Sequence, residues 1–257
     1  MCKIIQNRFG KAVKHYDSNA KAQLEICKKL FSYIPAIKPG ASILELGCGT
    51  GNFSKLLSSL NPSKLLLNDI CSEYYMVIKD KMGEIPYTFT SCNASDYIDN
   101  LKEQGEKFDL IAAASVIQWI EDPISFLINC KELLKPNGIL AINTFTQDNI
   151  NEVTSITHRG LEYPSIDEYN SILKRYYKVL ECYTESIVLN FHTPLEILLH
   201  LKLTGVTATS NRTWTREDMR QFESEYIRRY AIKNPNDSNG ILCPLTYTPA
   251  YIILKTI

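Results

Sequence analysis

The chain has 257 residues, with 28 Lys plus Arg against 28 Asp plus Glu and 45% apolar side chains. That is long enough for one large α/β core or two small ones. The balanced charge argues against nucleic acid or an anionic membrane as a partner of the whole surface, though not against a local patch. No apolar stretch approaches the ~20 residues of a membrane span and no apolar segment follows Met1-Cys2-Lys3, so the expected location is cytoplasmic.

Eight cysteines, at 2, 27, 48, 71, 92, 130, 182 and 243, form no C-x-x-C pair and lie near no His pair. Neither a zinc site nor a disulfide framework is expected, and most should be small buried hydrophobes in a reducing compartment.

Residues 1–36 precede the first strand. Ser18 can cap a helix with Ala20, Leu24, Cys27, Leu30, Phe31 and Ile34 on one face, stopped by Pro35. That packing leaves Phe9, His15 and Tyr16 unexplained.

After Pro39-Gly40, the apolar run Ile43-Leu44-Glu45-Leu46 breaks into Gly47, Gly49 and Gly51, and helical spacing follows at Phe53, Leu56, Leu57 and Leu60. A buried strand, a tight turn and a helix start are predicted. Such a turn brings backbone close to a ligand and aims N–H groups at an anionic one. The dinucleotide pattern G-x-G-x-x-G would need glycine at position 52, where Asn52 stands. Glu45-x-Gly47-x-Gly49-x-Gly51 instead resembles motif I of the class I S-adenosylmethionine (SAM) methyltransferases. The resemblance implies that this turn passes under the amino acid end of SAM, with Glu45 lining that end.

Lys64 to Asp69 is a second strand-like run, ending in an acid 22 positions after Gly47. Asp69 at that strand tip can accept both ribose hydroxyls, with Ile70 beside it. Ser72 to Met82 reads as a short helix, and Tyr87 to Thr90 as an alternating β-prone run. By the same resemblance Asn93 fills the slot that accepts from the adenine amine, with Ala94 next to it. Ser95 to Leu101 can form the next helix.

Lys107 to Ala114 is a continuous apolar run of the kind buried on both faces of a parallel sheet. Ser115 to Ile120 then lies at the carboxyl end of that strand, where open α/β sheets bind ligands. Gln118-Trp119 would place an amide and an indole N–H near the transferring methyl, and a core Trp is the competing reading. Asp122-Pro123 opens a helix with Phe126, Leu127, Cys130, Leu133 and Leu134 on its face. Lys135-Pro136-Asn137-Gly138 turns the chain into a fifth strand, Ile139 to Phe145. Leu134 to Leu140 resembles the L-K-P-G-G-x-L signature that precedes strand five in the superfamily. Five strands alternating with helices predict a doubly wound parallel sheet.

Beyond Gln147 the pattern changes. A helix is expected over Ser165 to Tyr177, a long edge strand over Lys178 to Phe191, helices over Thr193 to Leu203 and Thr215 to Tyr230, and a closing strand over Leu245 to Ile257. In the helix from Thr215, Asp218 can complete the cap and Met219, Phe222, Tyr226 and Tyr230 form the inward stripe, while Arg216 and Arg220 lie one turn apart on another face.

Four outer segments narrow the substrate. Arg8-Phe9-Gly10-x-Ala12-x-x-x-Tyr16-Asp17-x-x-Ala20-x-x-Gln23, Gln118-Trp119, Leu201-Lys202-x-x-Gly205-Val206-Thr207 and Pro244-Leu245-Thr246-Tyr247 together resemble the malonyl-acyl carrier protein O-methyltransferase family of biotin synthesis. The resemblance implies a single α/β domain over 1–257, with a Rossmann-like seven-stranded sheet whose last strand is antiparallel. Residues 1–36 would be the lid, 37–192 and 241–257 the core, and 193–240 a helical insertion that binds substrate and carrier. It further implies SAM as cofactor, held by Glu45, the three glycines, Asp69, Ile70, Asn93, Ala94 and Ser115. The reaction would be methylation of the free carboxylate of a malonyl thioester, on carrier protein or CoA, with no metal. Tyr16, Gln118 and Trp119 would serve that step, and Lys202, Arg212, Arg216, Arg220 and Tyr247 would meet substrate or carrier. Such a step needs alignment and dryness rather than a general base, because a carboxylate is already ionised at pH 7. One departure stands out: the family often has Gly-Arg before Pro-Leu-Thr-Tyr, and here Ile241-Leu242-Cys243 fills that place. A methyltransferase of a small carboxylic acid or phenol, and a non-catalytic SAM- or carrier-binding module, stay open as alternatives.

Overall fold

Strand alternation decides the architecture. In β1 (Ser42–Leu46), β2 (Lys64–Asp69), β4 (Phe108–Ala114) and β5 (Leu134–Phe145), successive apolar residues enter two separate cores. Ile43, Leu65, Leu67, Leu110, Ala112 and Ala141 face one side, and Leu44, Leu46, Leu66, Ile111, Ala113 and Ile142 the other. A sheet that is apolar on both faces must be covered by helices on both, which only a wound α/β topology supplies. The computed structural model, which describes residues 16–206, 214–237 and 240–257, has this layout.

The main sheet has seven strands in the order β3-β2-β1-β4-β5-β10-β6, where β3 is Thr88–Ser91, β6 Tyr177–Thr184 and β10 Pro249–Thr256. β10 runs antiparallel between β5 and β6, and the first five strands are parallel. One face carries α1 (Lys21–Tyr33), α2 (Asn52–Ser58) and α3 (Tyr74–Met82); the other carries α4 (Ala94–Glu103) and α5 (Pro123–Asn129). Asn93 caps α4 through Ser95 N–H at 2.8 Å, and Asp122 caps α5 through Ser125 N–H at 3.0 Å with Pro123 in the first turn.

The N-terminal helix differs from its expected form. Ser18 does not cap it: residues 16–19 are already a helical turn, joined to α1 at Ala20, whose N–H donates to Tyr16 O at 2.8 Å. The buried stripe is Ala22, Gln23, Ile26, Cys27 and Leu30, so Leu24 faces solvent instead of the core. The expected run Cys130 to Leu134 also leaves the α-helix, as a 3-10 turn over Cys130–Leu133 leads straight into β5.

Two long strands expected from alternation are each broken. Lys178 to Phe191 divides into β6 and β7 (Ile187–Phe191), and Leu245 to Ile257 belongs to β9 (Ile241–Tyr247) and β10. The breaks lie side by side, since Thr184 pairs with Ala250 and Ile187 with Tyr247. The cause sits at Thr248, whose backbone is taken by another segment. Its N–H donates to Asn149 Oδ1 at 3.1 Å, and its carbonyl accepts from Thr146 N–H at 3.1 Å. With Thr248 held by the segment after β5, the two-stranded ribbon kinks and its far half forms a second sheet, β7-β9-β8, where β8 is Ile232–Lys233.

The excursion from the main sheet therefore holds three strands as well as two helices, α8 (Pro194–Leu203) and α9 (Arg216–Tyr230). α9 begins with the expected capping box of Thr215 and Asp218. Phe222 and Tyr226 are its buried anchors within a file of aromatic rings from Trp214 to Tyr230, spaced 5.4, 5.4 and 5.5 Å apart. Met219, expected in that stripe, is exposed at the mouth of a cavity instead. Two short helices complete the chain, α6 (Asn151–Thr157), which alternation did not reveal, and α7 (Ile166–Leu173).

Candidate active site

The glycine turn joins β1 to α2, and its residues have different tasks. Gly47 has φ +65°, and a Cβ there would lie 2.1 Å from Val116 Cγ2, so the backbone of the turn packs directly against the Val116 side chain just past the β4 tip. Gly49 has φ +51° and nothing within 4 Å of its would-be Cβ, which leaves open space above the backbone. Gly51 precedes α2, its N–H donating to Cys48 O at 2.9 Å.

Two acids face this turn. Asp69, at the tip of β2, accepts from Gly49 N–H through Oδ2 and from Cys71 N–H through Oδ1, each at 2.9 Å. Burial lifts its carboxyl to about 6 although these hydrogen bonds pull the other way. Asp69 thus shapes the loop as well as facing the site. Glu45 is 1% exposed and its Oε2 has no hydrogen-bond partner. Burial pushes its carboxyl up to about 8; the neighbouring Ser54 hydroxyl opposes the shift and the Asp69 charge adds to it.

A buried acceptor without a donor costs about 1–3 kcal/mol, and more when charged. Glu45 could therefore hold a bound cation. An orphaned carboxylate oxygen, open space over Gly49 and an acid at the second strand tip fit the ammonium, amino acid backbone and ribose of SAM. Asn93 and Ala94 start α4 beside this edge, and Asn93 Oδ1 already serves as the helix cap. Ile70 lies between Asp69 and Cys71, its carbonyl accepting from Ser91 Oγ at 3.4 Å.

Over the turn lies the helical stub of residues 16–19. Asp17 accepts from Thr50 Oγ1 at 2.5 Å, Asn52 Nδ2 at 3.0 Å and Lys81 Nζ at 2.7 Å, so the stub is tied to the turn and to α3. Those donors hold the Asp17 carboxyl below the usual carboxylate range although burial opposes them. Tyr16 is thereby fixed above the site; burial raises its hydroxyl pKa, with Cys27, Tyr247, Asp17 and Asp69 adding to the rise.

At the β4 tip, Ser115 adopts φ +58°, rare for a side-chain-bearing residue. Its N–H donates to Asn143 Oδ1 at 2.8 Å, and its carbonyl accepts from Gln118 Nε2 at 2.8 Å. Gln118 Oε1 is buried without a partner. Trp119, in the 3-10 turn Ile117–Trp119, is half-buried and lines a cavity.

That cavity encloses 810 Å³ between the β4 tip, α6 and the excursion, and Tyr16, Ser115, Gln118, Trp119, Lys202 and Tyr247 all line it. The structure so gathers six of the residues expected from sequence. Its remaining wall is mostly apolar, with Phe145, Ile150, Leu198 and Trp214 among the contributors. Tyr247 is fixed from behind by His200, Nε2 to Oη 2.9 Å. Burial lowers the His200 imidazole to about 4, so it is neutral at pH 7. Arg216 and Arg220 stand exposed on α9 outside the lining, and Arg212 falls outside the described residues. Arg228 and Arg229, farther along, are paired with Glu225.

Sequence reasoning missed Asn149, Arg159 and Tyr163, which line the same cavity from the segment after β5. The helix α6 that positions them has seven residues and a polar sequence, too short for an apolar period to show. It is pinned instead by tertiary bonds: Glu152 accepts from Thr246 N–H at 3.2 Å and Thr246 Oγ1 at 2.5 Å, and Ser155 Oγ meets Tyr230 Oη at 2.7 Å. Leu242, at the place where the resembled family often has arginine, pairs with Ile232 in the second sheet and is not among the cavity residues.

Residues 16–179 match the family described as "Methyltransferase domain". The chain is 35% identical to the malonyl-[acyl-carrier protein] O-methyltransferase of Haemophilus influenzae, over 98% of this chain and 93% of that one. It is 33% identical to the protein of the same name from Porphyromonas gingivalis, over 98% and 95%. Among solved structures, the N-methyltransferase NodS of Bradyrhizobium japonicum in complex with S-adenosyl-L-homocysteine superposes with a TM-score of 0.53 at 14% identity, over 90% of this chain and 86% of that one; a likeness at that identity speaks for the fold alone. Sheet order, glycine turn and nearly full-length similarity agree, and the chain belongs to the malonyl-[acyl-carrier protein] O-methyltransferase family.

Proposed function

We propose that this enzyme transfers the methyl of SAM to the free carboxylate of a malonyl thioester on an acyl carrier protein, the first masking step toward the pimeloyl part of biotin. The observation that carries the reading is the mostly apolar cavity of 810 Å³ reached from the strand tips: its described lining has cations and neutral donors but no carboxylate. Such a cavity receives an acid on an apolar or neutral arm.

SAM supplies an electrophilic methyl on a sulfonium, whose sulfur takes the electron pair of the broken C–S bond as a carboxylate oxygen bonds to carbon. No proton moves, so no general base is required. Glu45 and Asp69 would hold the cofactor, together with the glycine turn of Gly47, Gly49 and Gly51 and with Ile70, Asn93, Ala94 and Ser115. Tyr16, tied down through Asp17, closes the top and excludes water. Trp119 and the Tyr16 and Tyr247 hydroxyls orient the acid by neutral hydrogen bonds. Gln118 has a reduced part in this, because one amide hydrogen is already given to Ser115 O.

The carrier would dock on the rim. Leu195, Leu199 and Met219 are exposed apolar residues at the cavity mouth, and Lys202, Arg216 and Arg220 stand around them. Arg212, the fourth basic residue expected from sequence to meet substrate or carrier, lies outside the described residues. A carrier of strongly acidic surface fits an apolar patch with a basic border. No helix among the described residues is long and apolar enough to cross a membrane, and no disulfide joins the described cysteines, an arrangement that suits a reducing cytoplasm.

The test is direct: labelled SAM with malonyl carrier protein, malonyl-CoA and free malonate. Labelled methyl ester on the carrier substrate supports the reading. Turnover of malonate alone would make this a small-acid methyltransferase, and none at all with SAM bound would make it a binding module.

A further inference from the structure

The cavity must tell a carboxylate from its neutral methyl ester, and the neutral donors at the β4 tip do so poorly. An N–H or O–H donor serves an ester carbonyl nearly as well as a carboxylate. Discrimination of charge requires charge, and the described lining has two formal cations, Lys202 and Arg159. Lys202 is exposed at the mouth, where hydration and salt weaken its pull. Arg159 is half-buried in a wall that is held rigidly. The turn that carries it closes α6: His158 N–H donates to Thr154 O at 2.8 Å with His158 at φ +52°, and Thr157 Oγ1 donates to Val153 O at 2.8 Å. Val153, Thr157 and Gly160 line the cavity with it, and α6 is bolted to β9 through Glu152.

We propose that Arg159 is the carboxylate-recognition residue: its guanidinium holds the non-reacting oxygen of the malonyl carboxylate and leaves the other oxygen free to face the methyl donor. This rests on the malonyl thioester reading. A guanidinium in a mostly apolar pocket binds a carboxylate by charge-assisted hydrogen bonds, about twice as strong as neutral ones. The contact is made in the ground state and weakens as the carboxylate becomes an ester, so it favours binding of substrate and release of product and does not accelerate the chemical step. It also removes the difficulty posed by Leu242. The arginine often found there in the family would lie on the second sheet in this chain, and the cavity finds its cation on α6's side instead.

The signature is a split between KM and kcat. With saturating SAM and malonyl-CoA as probe, Arg159→Gln should raise KM about ten- to hundredfold and leave kcat unchanged or slightly higher. Arg159→Lys should recover part of the loss. Malonyl-CoA methyl ester, which shares every atom of the arm but lacks the charge, should inhibit parent and Arg159→Gln with the same KI, and SAM affinity should not change. An unaltered KM in Arg159→Gln, or a KI that rises together with KM, would overturn the proposal, the second by showing that the wall has merely lost its shape. A parent protein that methylates no malonyl thioester would defeat the functional reading itself, an outcome visible before any variant is made.

Discussion

Glu45 as the partner of the SAM ammonium would make cofactor binding a proton-linked reaction. In the cofactor-free protein burial lifts its carboxyl to about 8, with Oε2 buried and without a partner, whereas an unfolded Glu ionises near 4.5. A bound ammonium favours the ionised form and pulls the value back down, so binding expels a proton wherever Glu45 starts protonated. At pH 6, two units below 8, roughly 1% of the free protein is ionised at Glu45, and apparent affinity should be about a hundredfold below its plateau, roughly 1.4 kcal/mol per pH unit. Asp69, raised to about 6, steepens the loss below that pH. Above ~8 the α-amino group of the ligand itself deprotonates, so the profile is a bell that peaks near 8. Calorimetry between pH 6 and 9, in buffers of differing ionisation enthalpy, reads both affinity and protons released, with close to one proton expected at pH 7. Glu45→Gln should flatten the limb between 6 and 8. Stability without cofactor moves oppositely. A carboxyl whose folded value is raised binds its proton more tightly folded than unfolded, so it stabilises the fold at low pH. That contribution falls as pH rises from about 4.5 to about 8 and is gone above it. Glu45→Gln should therefore raise the thermal midpoint of the free protein at pH 8. Affinity independent of pH between 6 and 8, or the same profile in Glu45→Gln, would refute the assignment of Glu45 to the ammonium.

Gly47→Ala and Gly49→Ala should separate fold from ligand. The first forces a Cβ to 2.1 Å from Val116 and should cost roughly 2–5 kcal/mol of stability; the second meets open space, costs about 1–2 kcal/mol for its left-handed backbone, and chiefly lowers SAM affinity. Equal thermal shifts for the two would contradict the open cradle. Tyr16→Phe should cut turnover more than SAM affinity, and unchanged turnover would leave Tyr16 a packing residue only. In Arg216→Glu/Arg220→Glu, activity on malonyl carrier protein should collapse at low salt while SAM affinity and the slower reaction on malonyl-CoA persist. Equal losses on both substrates would place these arginines in the fold rather than at the carrier.

What the sequence determined by itself was local or periodic. Three glycines at alternate positions, an acid just past the apolar run Leu65-Leu66-Leu67 and Lys107 to Ala114 with no polar face already required a wound sheet with a ligand at its strand tips, because backbone freedom and burial on both faces are written residue by residue. Asp122 and Thr215 marked helix starts within about one position for the same reason. Ser18 failed as a cap because the chain is already helical over residues 16–19, a turn held by Asp17's bonds to Thr50 and Lys81. Only tertiary structure could decide where two alternating ribbons kink, since the cause is Thr248's backbone bonding to Asn149, 99 residues away along the chain. Arg159 belongs to the same class. Neither its neighbours nor any period in the sequence singles it out; it acquires meaning because α6, pinned to β9 by Glu152, brings it to the wall facing Trp119's cavity. Long-range hydrogen bonds decide such placements, and nothing in a local stretch of sequence encodes which distant backbone group will be the partner.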